Sequence, residues 1–117
     1  MSRMALATQK YEEMVAFYQD KLGFSLVQSW DRPGARGGIF AGPGGFKLEI
    51  LDAVREKRTF ILHEASERMH LVLEVEDVGK FGERHRLPVP VETSWGGPII
   101  KVCDPDGWPV VVMGLPR

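Results

Sequence analysis

Cysteine is almost missing from this chain: Cys103 is the only one in 117 residues, so no disulfide can form within it. A reducing cytoplasm is the simplest compartment for such a chain, and a cytoplasmic protein is expected. Long apolar runs are missing too. None approaches the ~20 residues that cross a bilayer, so no membrane partner is expected. The opening Met1-Ser2-Arg3-Met4 lacks the basic and apolar segments of a secretion signal. Charge of one sign is scarce as well. The formal net charge is -1, and the densest basic stretch, Arg55-Glu56-Lys57-Arg58, is short and interrupted. Nucleic acids and anionic surfaces usually require a basic patch, so neither is an expected partner.

What is present is ordinary globular material. At 44% hydrophobic and 26% charged, the chain can bury a core and keep a soluble surface. Its length fits a single domain over 1–117, divisible into two small modules.

The clearest local signal is Phe17-Tyr18-Gln19-Asp20-Lys21-Leu22-Gly23-Phe24. It reads as the end of a helix over 10–22, a glycine stop and the start of a strand. Met14, Phe17, Tyr18 and Leu22 recur at spacings of three and four and mark one buried helix face. Met4-Ala5-Leu6-Ala7-Thr8 reads as a strand before that helix. Strands are predicted after it over 24–30, 37–42 and 46–50, with turns at Asp31-Arg32-Pro33-Gly34 and Gly44-Gly45. In the last strand Phe46, Leu48 and Ile50 alternate with Lys47, Glu49 and Leu51. The first module, about 1–52, is therefore β-α-β-β-β.

A charged, irregular connector is expected over 53–68. The second module, about 69–117, opens on a strand in which Met69, Leu71, Leu73 and Val75 alternate with His70, Val72 and Glu74. Asp77 is placed to cap a short helix through about 86. Strands are predicted over 91–94, 98–103 and 109–113, and Asp104-Pro105-Asp106-Gly107 forms a tight turn between the last two. The order is again β-α-β-β-β, although the halves share no obvious sequence repeat.

These landmarks, in order and spacing, resemble the vicinal oxygen chelate superfamily, which includes glyoxalase I, extradiol dioxygenases, fosfomycin-resistance enzymes and bleomycin-resistance binding proteins. The stretches that carry the resemblance are Phe17 to Phe24, the His70 strand running into Glu76-Asp77-Val78, Trp95-Gly96-Gly97, and the Asp104 to Gly107 turn. The resemblance implies an α+β fold: two βαβββ modules with curved mixed sheets around a central cleft. It implies a homodimer as well. Metal-bearing members draw four ligands from the first and last strand of each module. Carried over one position at a time, Glu49 and His70 match as donors, whereas Arg3 and Val111 stand where the other two belong.

Valine has no lone pair for a metal, and arginine stays protonated and repels cations. No cofactor and no tight metal site are therefore expected, with at most a weak divalent ion on Glu49 and His70. Two readings of Arg3 stand side by side. It pairs with Glu49, with His70 on the same carboxylate, or it is a solvated residue near a terminus. His70 and Glu49 also have plain readings, as a histidine satisfied by nearby backbone and a half-exposed strand residue. Trp95 and Trp108 offer flat faces for stacking a ligand, and Phe40 is a further candidate wall. Trp108, like Trp30, also suits packing between modules or subunits. His63 and His85 lack partners at ligand spacing, and Cys103 lacks an activating base.

Arg3, Glu49, His70, Trp95, Trp108 and Val111 are thus the candidate ligand-binding residues. A metal-free binder of small molecules is the first functional expectation. The second is a glyoxalase- or dioxygenase-like enzyme (lyase, isomerase or oxygenase) with Glu49 as general base and His70 assisting. An interaction module without a small ligand is the third.

Overall fold

Met4–Thr8 forms the first strand, β1, and runs parallel to β4 (Lys47–Asp52) in the computed structural model, which describes residues 1–56 and 60–115. β2 (Ser25–Arg32) and β3 (Ala35–Ala41) complete a four-stranded sheet in the order β1-β4-β3-β2. A second sheet repeats this plan. β5 (Leu71–Val75) lies parallel to β8 (Pro109–Gly114), with β7 (Pro98–Cys103) and β6 (Val91–Glu92) following in the order β5-β8-β7-β6. Parallel first and last strands need a crossover. Each sheet's crossover begins with a helix, α1 (Tyr11–Ala16) in one and α2 (Val78–Arg84) in the other. The α+β class and the paired βαβββ modules are borne out.

The chain divides into two compact units, Met1–Glu64 and Ala65–Arg117. Described residues of the connector, 53–56 and 60–68, contain no strand or helix. Residues 57–59 of that connector, and 116–117 at the end of the second module, lie outside the described residues.

In the first unit the expected helix changes pitch midway. After α1 the backbone widens into a π-helical turn over Phe17–Lys21, and Leu22 donates to the Phe17 carbonyl at 3.0 Å. A wider turn aligns residues four apart, and Met14, Tyr18 and Leu22 are all almost fully buried. Gly23, at φ 74°, then lets Phe24 donate back to the Tyr18 carbonyl at 2.9 Å. The rings of Phe17, Tyr18, Phe24 and Phe46 meet edge to face in sequence. Phe40, Leu48 and Ile50 complete this core. Each fully buried side chain of this size contributes about 1.5–3 kcal/mol by leaving water.

The expected turn at 31–34 is shorter than predicted. Asp31 and Arg32 remain in β2, paired with Arg36 and Ala35, and only Pro33 and Gly34 turn the chain. Cross-strand pairing continued as far as the proline allowed.

In the second unit Asp77 caps α2 as expected, accepting the Lys80 amide at 2.9 Å. Gly82 faces β7, where an added Cβ would lie 2.7 Å from Ile100 Cδ1, so helix and sheet approach closely. The strand expected over 91–94 stops at Glu92. Thr93 leaves it because its hydroxyl donates to the Gly97 carbonyl at 2.6 Å and closes a loop over 93–97.

Candidate functional site

The parallel register of each sheet supplies a common frame. In the first unit Glu49 lies opposite Ala5, two residues after Arg3. In the second unit Val111 lies opposite Val72, two residues after His70. Arg3 with Glu49 and His70 with Val111 are therefore equivalent pairs in two separately built sheets. Arg3 and His70 each lie one residue before their strand, so the pairs are equivalent in register.

Arg3 uses that proximity. Its Nε donates to Glu49 Oε1, and its Nη1 donates to the Met1 carbonyl at 2.8 Å. The Glu49 side chain is only 11% exposed and that of Arg3 38%. Glu49 is consequently a buried, ion-paired carboxylate, and the expectation of a half-exposed strand residue is corrected. Leu51, in the same phase, is buried too, so β4 is covered on both faces.

His70 falls one residue before β5 rather than within it, and it is exposed. Val111 is half-buried, while Val110 and Val112 are fully buried in the opposite phase. Lys101 of β7 lies directly across from Val111, and its ammonium bonds Glu67 at 2.5 Å. That hydrogen bond holds the Glu67 carboxyl below the ordinary range and pushes the Lys101 ammonium up. Lys101 was not singled out from the sequence. Its place in one strand phase with Ile99 and Cys103 was the available signal.

Trp95 is 63% exposed on the loop closed by Thr93. Gly96 takes φ 98° there, and a Cβ on Gly97 would sit 3.4 Å from the indole ring. The loop forms one wall of a cavity of about 690 Å³ whose other walls include Glu74, Glu76, Asp77, Met113 and Leu115. Glu74 and Glu76 were missed as lining residues, although Glu74 stood on the polar phase of its strand.

Trp108 does not line that cavity. Its amide donates to Asp104 Oδ1 at 3.0 Å, and the same oxygen accepts the Asp106 amide at 3.0 Å. Trp30 lies against Gly37, where a Cβ would approach its ring to 2.5 Å. Phe40 is a core residue paired with Leu48 rather than a cavity wall.

A second hollow, of about 490 Å³, opens in the first unit beside Tyr11, Glu12, Arg36, Asp52 and Arg55. Its cations are engaged. Arg36 bonds Glu12 at 2.6 Å and sits 4.5 Å from the Tyr11 ring centre, and Arg55 bonds Asp31 at 2.5 Å. His63 is exposed, and His85 packs on Phe81 with ring centres 4.4 Å apart.

Residues 1–112 match the family described as the Glyoxalase/Bleomycin resistance protein/Dioxygenase superfamily, and the chain belongs to it. A glyoxalase/bleomycin resistance protein/dioxygenase from Nocardioides is similar in structure at 26% identity and TM-score 0.70, over 97% of this chain and 81% of that one. A lactoylglutathione lyase from Agrobacterium tumefaciens aligns at 22% identity and TM-score 0.66, over 97% and 92%. A genomically encoded fosfomycin resistance protein from Listeria monocytogenes aligns at 16% identity and TM-score 0.72, over 99% and 93%. At those last two identities the likeness is one of fold alone. No curated protein shows significant sequence similarity.

Members of this superfamily often use divalent metals, and of Arg3, Glu49, His70 and Val111 only Glu49 and His70 carry donor atoms. Arg3 sets a guanidinium on the Glu49 carboxylate. Val111 offers no donor, and its cross-strand neighbour is a lysine. Among the described residues, no group of three or more His, Cys, Asp or Glu side chains is disposed to hold an ion. No helix among the described residues is long and apolar enough to cross a membrane.

Proposed function

We propose that this protein binds a small molecule without relying on a tightly held divalent metal. The observation that carries this reading is the Arg3–Glu49 ion pair, which places a fixed positive charge on the carboxylate of a would-be ligand position. The strongest Lewis-acid steps known for such scaffolds need a cation held by several donors. The fold itself hosts several chemistries, so the site and not the fold supports the choice. Arg3, Glu49, His70, Trp95, Trp108 and Val111 remain the proposed binding residues, and a cytoplasmic homodimer the proposed working form.

A competing enzyme reading assigns Glu49 as general base and His70 as its assistant. General-base catalysis needs a carboxylate free to take a proton, and Glu49 is already the acceptor of Arg3. That contact favours binding over catalysis.

Metal analysis of the purified protein tests the proposal, together with titration of a compound panel followed by tryptophan fluorescence. Substoichiometric metal with saturable quenching is the expected result. A stoichiometric, chelator-sensitive divalent ion would sink the reading.

A further inference from the structure

The cavity in the second unit has a chemistry of its own. Glu74, Glu76 and Asp77 bring three carboxyl groups to its wall, and no basic side chain lines it among the described residues. Neither Glu74 nor Glu76 has an ion-pair partner among those residues. Asp77 spends one oxygen on the Lys80 amide. Sharing the lining with these carboxylates are Trp95, Pro98, Met113 and Leu115, with Met113 next to Glu74 in the β5–β8 register.

The indole is the unusual part. A side chain this apolar normally lies buried, yet Trp95 is 63% exposed. Its loop is nevertheless well defined. The Thr93 hydroxyl donates to the Gly97 carbonyl at 2.6 Å, and the Gly96 amide donates to the Thr93 carbonyl at 3.3 Å. The exposed ring is thus presented from a built loop rather than from a loose end.

Two classes of cation answer a negative wall. A bare metal ion needs several oxygens converging on one point, and these carboxylates form no such group among the described residues. A volume of about 690 Å³ also far exceeds what one ion fills, and it falls within the size of small-molecule sites. A diffuse organic cation fits both facts. Its ammonium would be attracted by the carboxylates and by the face of the indole, and its apolar part would cover Pro98, Met113 and Leu115.

We infer that the cavity between Trp95 and the Glu74–Glu76 strand end is a binding site for a flat organic cation, such as an aryl-substituted ammonium. The inference rests on the small-molecule reading above and adds to it the charge class and the place.

The test uses two probes of similar ring and opposite charge, (naphthalen-1-ylmethyl)trimethylammonium and naphthalene-1-sulfonate, titrated calorimetrically into the intact protein. The ammonium should bind one per chain, and the sulfonate should bind at least roughly tenfold more weakly. Glu74→Gln with Glu76→Gln should weaken ammonium binding roughly tenfold, and so should Trp95→Ala. Glu83→Gln with Glu92→Gln makes the same change in net charge outside the cavity and should leave affinity unchanged. All five substitutions are at exposed positions, and thermal melts of each variant check folding. Equal binding of the two probes, or equal weakening by both carboxylate pairs, would overturn the inference. So would binding of neutral or anionic panel compounds without the ammonium, which would leave the small-molecule reading intact. Failure of every compound, charged or neutral, would overturn both.

Discussion

The Arg3 guanidinium donates to the Glu49 carboxylate across 46 residues of sequence, joining the lead-in of β1 to the middle of β4. Parallel pairing sets Ala5 beside Glu49, and the side chain two residues earlier reaches back to it. A segment that would otherwise fray is tied to a buried charge.

Removing Arg3 should therefore cost stability. Arg3→Ala leaves a nearly buried carboxylate without its partner. A loss of about 1–2 kcal/mol is expected, between the values for exposed and buried pairs. Urea denaturation measures it, and a double-mutant cycle with Glu49→Gln should return a coupling of about 1 kcal/mol. Zero coupling would mean that Arg3 is merely solvated.

Restoring one donor should not restore a metal site. Val111→Glu with Arg3 intact is expected to bind no stoichiometric divalent ion, because a guanidinium still occupies Glu49 and Lys101 lies across from the new carboxylate. Metal analysis after dialysis against zinc or manganese checks this. Tight binding would show that position 3 has been assigned wrongly.

Asp104 organises the turn before β8. It is buried and accepts two backbone amides through one oxygen. Asp104→Ala strands both donors and should cost about 2–3 kcal/mol, whereas Asp104→Asn, which keeps an acceptor, should cost less. Thermal unfolding of the two variants separates the cases, and equal losses would contradict the hydrogen-bond account.

Gly37 makes room for Trp30. A Cβ there would come within 2.5 Å of the indole and 3.0 Å of the Ile50 carbonyl, and the carbonyl belongs to rigid sheet. Gly37→Ala should cost about 1–3 kcal/mol and shift the tryptophan emission. An unchanged spectrum at wild-type stability would show that the indole moves aside freely.

His85 supplies a pH dependence. Burial, and secondarily the charge of Arg84, lower its pKa from the ordinary 6.5. The folded state then prefers neutral imidazole more than the unfolded state does. This contribution to stability is complete above pH 6.5 and is lost as the pH falls below it, through the lower folded value. A proton NMR titration should place the His85 midpoint below those of freely exposed histidines. A midpoint at or above 6.5 would refute it.

Much of the fold was legible in the residues because its signals are local. Gly23 stops a helix, Asp77 starts one, and Asp104 to Gly107 turns the chain, each through contacts a few residues away. Departures arose where strand pairing or burial competed with the turn or cap signal. Arg32 stayed in β2 because Ala35 could pair with it, and the helix widened where Met14, Tyr18 and Leu22 all needed burial. Phe40, a further candidate wall on the strength of its flat ring, is instead a buried core residue paired with Leu48.

By itself the sequence determined the class and the two-module order, since periodicity, caps and turn residues act within a few positions. It also determined that Arg3 and Val111 themselves offer no metal donor, because that is a matter of side-chain chemistry alone. Only the tertiary structure decided that Arg3 pairs with Glu49, that Glu49 is buried, that Lys101 lies across from Val111, and that Trp95 shares a cavity with Glu74 and Glu76. Each of these depends on strand register or loop placement, and register is set by pairing between distant segments.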